Sequence, residues 1–227
     1  MEAGKALEIP DLLVAHLPRE LVLSVADALE DGAGMAYPAV QKVDVRHRSS
    51  ALGQMRHFFM NERFAEALAV ADASPSDLRG NEVVVGTKGI FRLSRFNISK
   101  GPWYNARRSL SRRALAEANR AIEQIVRPSL PLWPPEPITA ATAFFVGVFS
   151  GNLRVSPEKP LDVVLAVPDH SMRTWLFQES VSTFVSRYTI EPSSGIEASS
   201  PNASSSGQED KAHPVLKKKQ TKKEQGE

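Results

Sequence analysis

Apolar residues recur at helical spacing near the start of the chain. Leu12, Leu13, Leu17, Leu21, Val25 and Leu29 predict one or two helices across Ile9 to Leu29. Pro18 divides the run, because proline cannot donate within a helix interior. Asp31-Gly32-Ala33-Gly34 reads as its stop. Tyr37 to Arg48 keeps no single period at Val40, Val43 and Val45, so it reads as a loop with room for a short strand. Ser50 to Ala71 returns to helix, with Leu52, Met55, Phe59, Phe64 and Leu68 on one face and Ser49 or Ser50 placed to cap it.

Beyond a turn at Ser74 to Asp77 the pattern shortens. Glu82 to Val85 and Ile90 to Leu93 read as two strands, joined by Gly86-Thr87-Lys88-Gly89 as a hairpin. Gly101-Pro102 opens a helix over Trp103 to Val126, with Leu110, Ala114, Ala118, Ala121, Ile122 and Ile125 as its apolar stripe. Arg108, Arg112, Arg113 and Arg120 fall on the opposite side. The prolines of residues 128–137 form a rigid connector. Ala140 to Phe149 is a strand or a buried helix, and Leu161 to Val167 is a buried strand. Ser171 to Tyr188 reads as a last helix with Met172, Trp175, Leu176, Val181, Phe184, Val185 and Tyr188 inward. Residues 193–227 lack core formers and end in lysines, which predicts a disordered tail. The expectation is one α+β domain over residues 1–192, with amphipathic helices packed around a small antiparallel hairpin or sheet.

Composition narrows the functional classes. The chain has 227 residues and no cysteine, which excludes disulfides, thiolate metal sites and a cysteine nucleophile. No apolar run reaches the ~20 residues of a membrane span and no secretory signal is legible, so a cytoplasmic location without membrane association is expected. The net charge of +2 conceals an imbalance. Between Gln41 and Arg127, 16 basic residues face 8 acidic ones, a field that favours an acidic partner.

The first candidate for chemistry is Gln54-Met55-Arg56-His57-Phe58-Phe59. The glutamine amide both donates and accepts at a pocket rim, and the aromatic residues fill an apolar pocket. The alternative is that Met55, Phe58 and Phe59 are simply the buried face of a helix. The six residues resemble the linear motifs that bind the bacterial replicative sliding clamp. A small chain without catalytic motifs, with one clamp-like peptide and a basic body, looks like the SocB-type toxins. That resemblance implies a non-enzymatic inhibitor of DNA replication. It further implies the DNA polymerase sliding clamp as partner, with a cognate antitoxin acting as proteolytic adaptor to a protease. Gln54, Met55, Phe58 and Phe59 would be the clamp-binding residues.

The second candidate is the basic stretch with aromatic neighbours: Arg92, Arg95, Trp103, Arg107, Arg108, Arg112 and Arg113. Arginines one helical turn apart suit phosphates, and an aromatic ring suits base stacking, so nucleic acid or another polyanion is the expected ligand. The alternative is a solvated face on which Glu117 pairs with Arg113 and Arg120. The third candidate is a ribonuclease using His47 within Arg46-His47-Arg48, or His170 beside Asp169. No histidine has the spacing of a zinc helix, Gly86 to Gly89 lacks P-loop spacing, and no motif calls for a cofactor.

Overall fold

Three helices come first. They are α1 (Ile9–His16), α2 (Arg19–Ala39) and α3 (Val45–Val70). A hairpin follows, β1 (Val85–Lys88) and β2 (Phe91–Ser99). The chain then crosses over through a 3-10 turn (Ala106–Arg108), α4 (Leu110–Ala116), a second 3-10 turn (Glu117–Asn119) and α5 (Arg120–Val126). It closes with β3 (Ala141–Phe149), β4 (Asp162–Pro168), β5 (Trp175–Ser180), the short α6 (Val181–Phe184) and a final 3-10 turn. This is a computed structural model that describes residues 8–101, 103, 105–127, 137–152 and 157–188. All of them lie within one compact unit, Met1–Thr189. Most of the proline connector and the lysine-rich tail fall outside the described residues.

The five strands form one mixed sheet in the order β1-β2-β3-β4-β5, and the fold is α+β. β2 and β3 run parallel, which the crossover requires, and the other three pairings are antiparallel. Side chains alternate between the faces of the sheet. Phe91, Leu93, Ala143, Phe145, Leu165 and Val167 face α1, α2 and α3 in the larger core. Phe96, Phe144, Val146, Val164 and Ala166 face the crossover, where Ala106, Ala116 and Met172 complete a second core.

Several boundaries differ from the sequence pattern for physical reasons. α2 does not stop at Asp31 to Gly34. Gly32 is buried in mid-helix, and a Cβ there would stand 2.6 Å from the Met60 Cα. That glycine lets α2 and α3 approach closely instead of breaking the helix. No strand forms in Tyr37 to Arg48. α3 starts at Val45, capped by Asp44, whose carboxylate accepts from the Arg46 amide at 2.9 Å, rather than by Ser49 or Ser50. The hairpin turns at Gly89-Ile90 and not at Gly86 to Gly89, with Gly89 supplying the positive φ of +56° that a two-residue connection needs.

The helix expected over Trp103 to Val126 is broken at Glu117–Asn119. The buried Asn119 side chain accepts from the Thr142 amide at 2.6 Å and donates to the Thr142 and Pro168 carbonyls at 3.1 and 2.8 Å. These three bonds tie the crossover to the ends of β3 and β4. Leu110, expected in the apolar stripe, is 73% exposed at the start of α4. The last predicted helix, Ser171 to Tyr188, is instead a loop, edge strand β5 and the short α6. Asp169 folds the loop back by accepting from the amides of Ser171, Arg173 and Thr174 and from the hydroxyls of Ser171 and Thr174. Trp175 then packs on one face of the sheet and Phe177 on the other. Among the described residues, no helix is long and apolar enough to cross a membrane.

Candidate nucleic-acid interface

The broken crossover and the loop after β4 together build an arginine-lined concavity of 720 Å³. Arg107 and Arg108 come from the first 3-10 turn, Arg113 from α4 and Arg120 from the start of α5. Arg173 and His170 come from the loop that Asp169 clips. All five arginines are exposed, and among the described residues Glu117 is the one acid lining the space. None of the five pairs with a carboxylate among the described residues, so Glu117 is not the partner of Arg113 or Arg120. Leu110 and Ala114 supply apolar wall between them.

The edge of this concavity is held by acids turned away from it. His170 Nδ1 meets Glu123 Oε2 at 2.6 Å, and Arg127 reaches Glu123 Oε1 at 3.1 Å. Arg127 also donates to Thr174 Oγ1 at 2.7 Å. Burial raises the Glu123 carboxyl, but the hydrogen bonds from the His170 ring and amide outweigh it and hold it below its usual value. Asp169 behaves alike. Its burial is outweighed by the bonds from Thr174, Arg173 and Ser171. His170 is thereby fixed with one ring nitrogen on a carboxylate, while its side chain borders the arginines. Among the described residues, no group of three His, Asp or Glu side chains is placed to hold a metal ion.

The seven residues of the basic candidate do not form one surface. Arg107, Arg108 and Arg113 share the concavity. Arg112 lies on the other side of α4, stacked at 4.6 Å over the Phe96 ring. Arg92 and Arg95 are three residues apart on β2 and therefore point to opposite faces. Arg92 is exposed and borders a different hollow with Asn81, Glu82 and Ser111. Arg95 is only 4% exposed and points toward α3. It donates through Nε and Nη2 to Asn61 Oδ1 at 2.9 and 2.7 Å, and through Nη2 to the His57 carbonyl at 2.7 Å. Burial pushes its guanidinium down to about 9, still charged at neutral pH. Trp103 packs edge-on against Trp175 at 4.9 Å, within the second core rather than as a free stacking platform.

The six-residue motif lies in the middle of α3. Met55 and Phe59 are half-buried against Ala36, Val40 and Leu52, between α2 and α3. Gln54 is exposed and donates to Asn81 Oδ1 at 2.7 Å, and Phe58 is 39% exposed. Four residues apart, those two share one helix face. Of the nuclease candidates, Arg46 pairs with Asp44 at 3.0 Å, and Arg48 donates to the Gln41 and Val43 carbonyls, leaving His47 exposed at a helix start. Sequence reasoning missed Arg173 as a partner of the basic helix, because only the Asp169 loop brings it there. No family model matches this chain, and no curated protein or solved structure matches it either.

Proposed function

We propose that this protein binds nucleic acid, gripping its phosphates in the concavity of Arg107, Arg108, Arg113, Arg120 and Arg173. The observation that carries this reading is the convergence of five exposed arginines on one hollow with a single glutamate among the described residues. Such a surface has no structural use for its charge, since none of the five pairs with a carboxylate among the described residues. Guanidinium groups suit phosphate oxygens because they offer paired donors in one plane. On this reading the protein works in the cytoplasm as a binding protein and not as an enzyme.

The test is fluorescence polarisation with labelled single- and double-stranded oligonucleotides across a salt series. Each phosphate neutralised contributes about 0.7–0.9 to the slope of log affinity against log salt. Arg113→Gln and Arg120→Gln should each weaken binding and reduce that slope by about one. Salt-independent binding, or slopes unchanged in both variants, would reject the reading.

A second reading rests on Gln54 and Phe58, exposed on one face of α3. It takes the protein as a replication-blocking, toxin-like partner of the sliding clamp. A helical rather than extended peptide would then engage the clamp, with Met55 and Phe59 supporting it from behind. Gln54→Ala with Phe58→Ala should abolish capture by purified bacterial clamp while the fold persists. Capture that survives the double substitution would end that reading.

A further inference from the structure

On the opposite side of α4 lies a second set of arginines in a different setting. Two adjoining concavities of 290 and 250 Å³ share Gly53 and Asn97 as walls. Arg95 and Arg112 line the first, and Arg56 lines the second. Among the described residues that line either one there is no aspartate or glutamate. A buried guanidinium with no counter-charge is costly to keep, because it loses water without gaining a carboxylate. Arg95 has carbonyl and amide oxygens in compensation, but no negative charge.

Arg112 is less satisfied still. Its Nε is buried without a hydrogen-bond partner, and its guanidinium bonds to no described residue. Arg48 and Arg63 share an orphaned Nε elsewhere, but their outer nitrogens are bonded to carbonyls and to Glu66. Arg56 has the same orphaned Nε and donates its Nη2 to the Pro157 carbonyl. Both outer arginines stack on phenylalanines, Arg56 at 3.9 Å over Phe149 and Arg112 at 4.6 Å over Phe96. Stacking holds each guanidinium in a fixed plane, and at Arg112 the edge is left without a bond to any described residue, the arrangement that receives an oxyanion.

Gly53 adds an independent observation. Glycine within a helix costs roughly 1 kcal/mol relative to alanine. A Cβ at Gly53 would meet nothing within 4 Å, so packing does not require the glycine. What its absence of side chain does is leave the wall shared by the two concavities open.

We propose that the groove along Gly53 binds a phosphate monoester, seated on Arg112 beside Arg95 and Ser109, with the rest of the ligand running over Gly53 toward Arg56. A dianion offsets more of the uncompensated charge than a carboxylate does. The site is separate from the exposed arginine concavity and stands whether or not that concavity binds nucleic acid.

The test is calorimetry on the full chain at constant ionic strength, with inorganic phosphate as the probe. Phosphate should bind where chloride does not. Arg112→Gln and Gly53→Leu should each weaken it at least tenfold, and Arg79→Gln should leave it unchanged as a bulk-charge control. Gly53→Leu favours helix and is expected to melt no lower than wild type, so loss of binding there is not loss of fold. A second arm compares 5′-phosphorylated with 5′-hydroxyl oligonucleotides. A preference for the phosphorylated end that vanishes in Gly53→Leu identifies a nucleic-acid terminus as the source. Equal binding of the two ends, with inorganic phosphate still held, identifies a small phosphate ester. Phosphate and chloride behaving alike, or phosphate binding intact in both groove variants, would overturn the proposal.

Discussion

Arginines stand on both sides of α4, but in unlike surroundings. On one side, five exposed guanidiniums surround a broad hollow with one glutamate among its described lining residues. On the other, Arg95 is nearly sealed from solvent and Arg56 and Arg112 are half-buried, with no carboxylate among the described residues that line the space. Exposed charges interact weakly at short range and are screened by salt over about 8–10 Å. Charges withdrawn from water are screened far less, and their hydrogen bonds carry real stability. One residue type thus serves two ends: a diffuse, salt-sensitive field outside and a structured, directional cluster inside.

The comparison breaks most visibly at Asn61. Its Oδ1 takes two hydrogen bonds from Arg95, and its Nδ2 donates to the Glu82 carbonyl at 3.1 Å. Asn61→Ala leaves a buried guanidinium short of acceptors and should lower unfolding free energy by about 3 kcal/mol in a urea titration. Arg113→Ala on the exposed side should change it by no more than about 0.5 kcal/mol. Equal effects would mean that the two clusters are energetically alike.

The next contrast lies between two helical glycines. Gly32→Ala drives a methyl group into the α3 backbone and should cost about 2 kcal/mol, because neither helix can retreat without opening the core. Gly53→Ala meets open space and should stabilise by about 0.5–1 kcal/mol. Thermal melts of the two variants should therefore move in opposite directions.

A smaller effect separates the exposed hollow from the groove by pH. Asp169 and Glu123, which support the hollow, are held below their usual carboxyl values. Their folded values are depressed, so their stabilisation is complete above the unfolded values near pH 4. It is lost as pH falls through the folded ones. Asp169→Asn should cost about 1–2 kcal/mol at pH 7, and the gap to wild type should shrink by pH 3. A gap that does not change with pH would show that the carboxylate's charge contributes nothing.

Much of the fold was legible where one period ran long enough to dominate. α1, the bodies of α2 and α3, and β4 follow their apolar spacing, while the end of α2, the start of α3 and the choice of strand over buried helix for β3 do not come from it. The crossover and β5 were not legible, because a polar residue decides each. Asn119 anchors the backbone of β3 and β4, and Asp169 closes the loop before the edge strand. Each is satisfied by partners far along the chain or by a compact turn that apolar periodicity does not register. The basic character of the candidate site was legible, but its partition was not. Arg112 and Arg113 are neighbours in sequence that end on opposite sides of a two-turn helix, and the 3-10 segments shift the phase of the flanking arginines. The apolar pattern ends the strand at Leu93 and so groups Arg92 and Arg95 on one surface, whereas β2 runs on to Ser99 and its two-residue period turns them to opposite faces.

His57 offers the finest test of the difference between the two sides. It lines the groove, half-buried, with Arg95 from β2 and Arg112 from α4 as the cations around it. Its Nε2 lies 3.3 Å from Asn61 Nδ2, and among the described residues no carboxylate lines the same space. Burial lowers its imidazole below the usual 6.5, the charge of Arg95 lowers it further, and a backbone contact at Asn81 opposes both only in part. In an NMR titration its midpoint should therefore fall below 6.5. The sign for stability follows: protonation disfavours the folded state, so this residue lowers stability as pH drops below its unfolded value. His57→Gln should remove that component. Inorganic phosphate should raise the midpoint, because an anion beside Arg112 places negative charge near the imidazole and offsets the Arg95 charge that adds to the effect of burial. In Gly53→Leu the midpoint should stay low whatever the phosphate concentration. A midpoint at or above 6.5 in the phosphate-free protein would mean that the groove is as wet as the exposed hollow, and the contrast between the two sides would disappear.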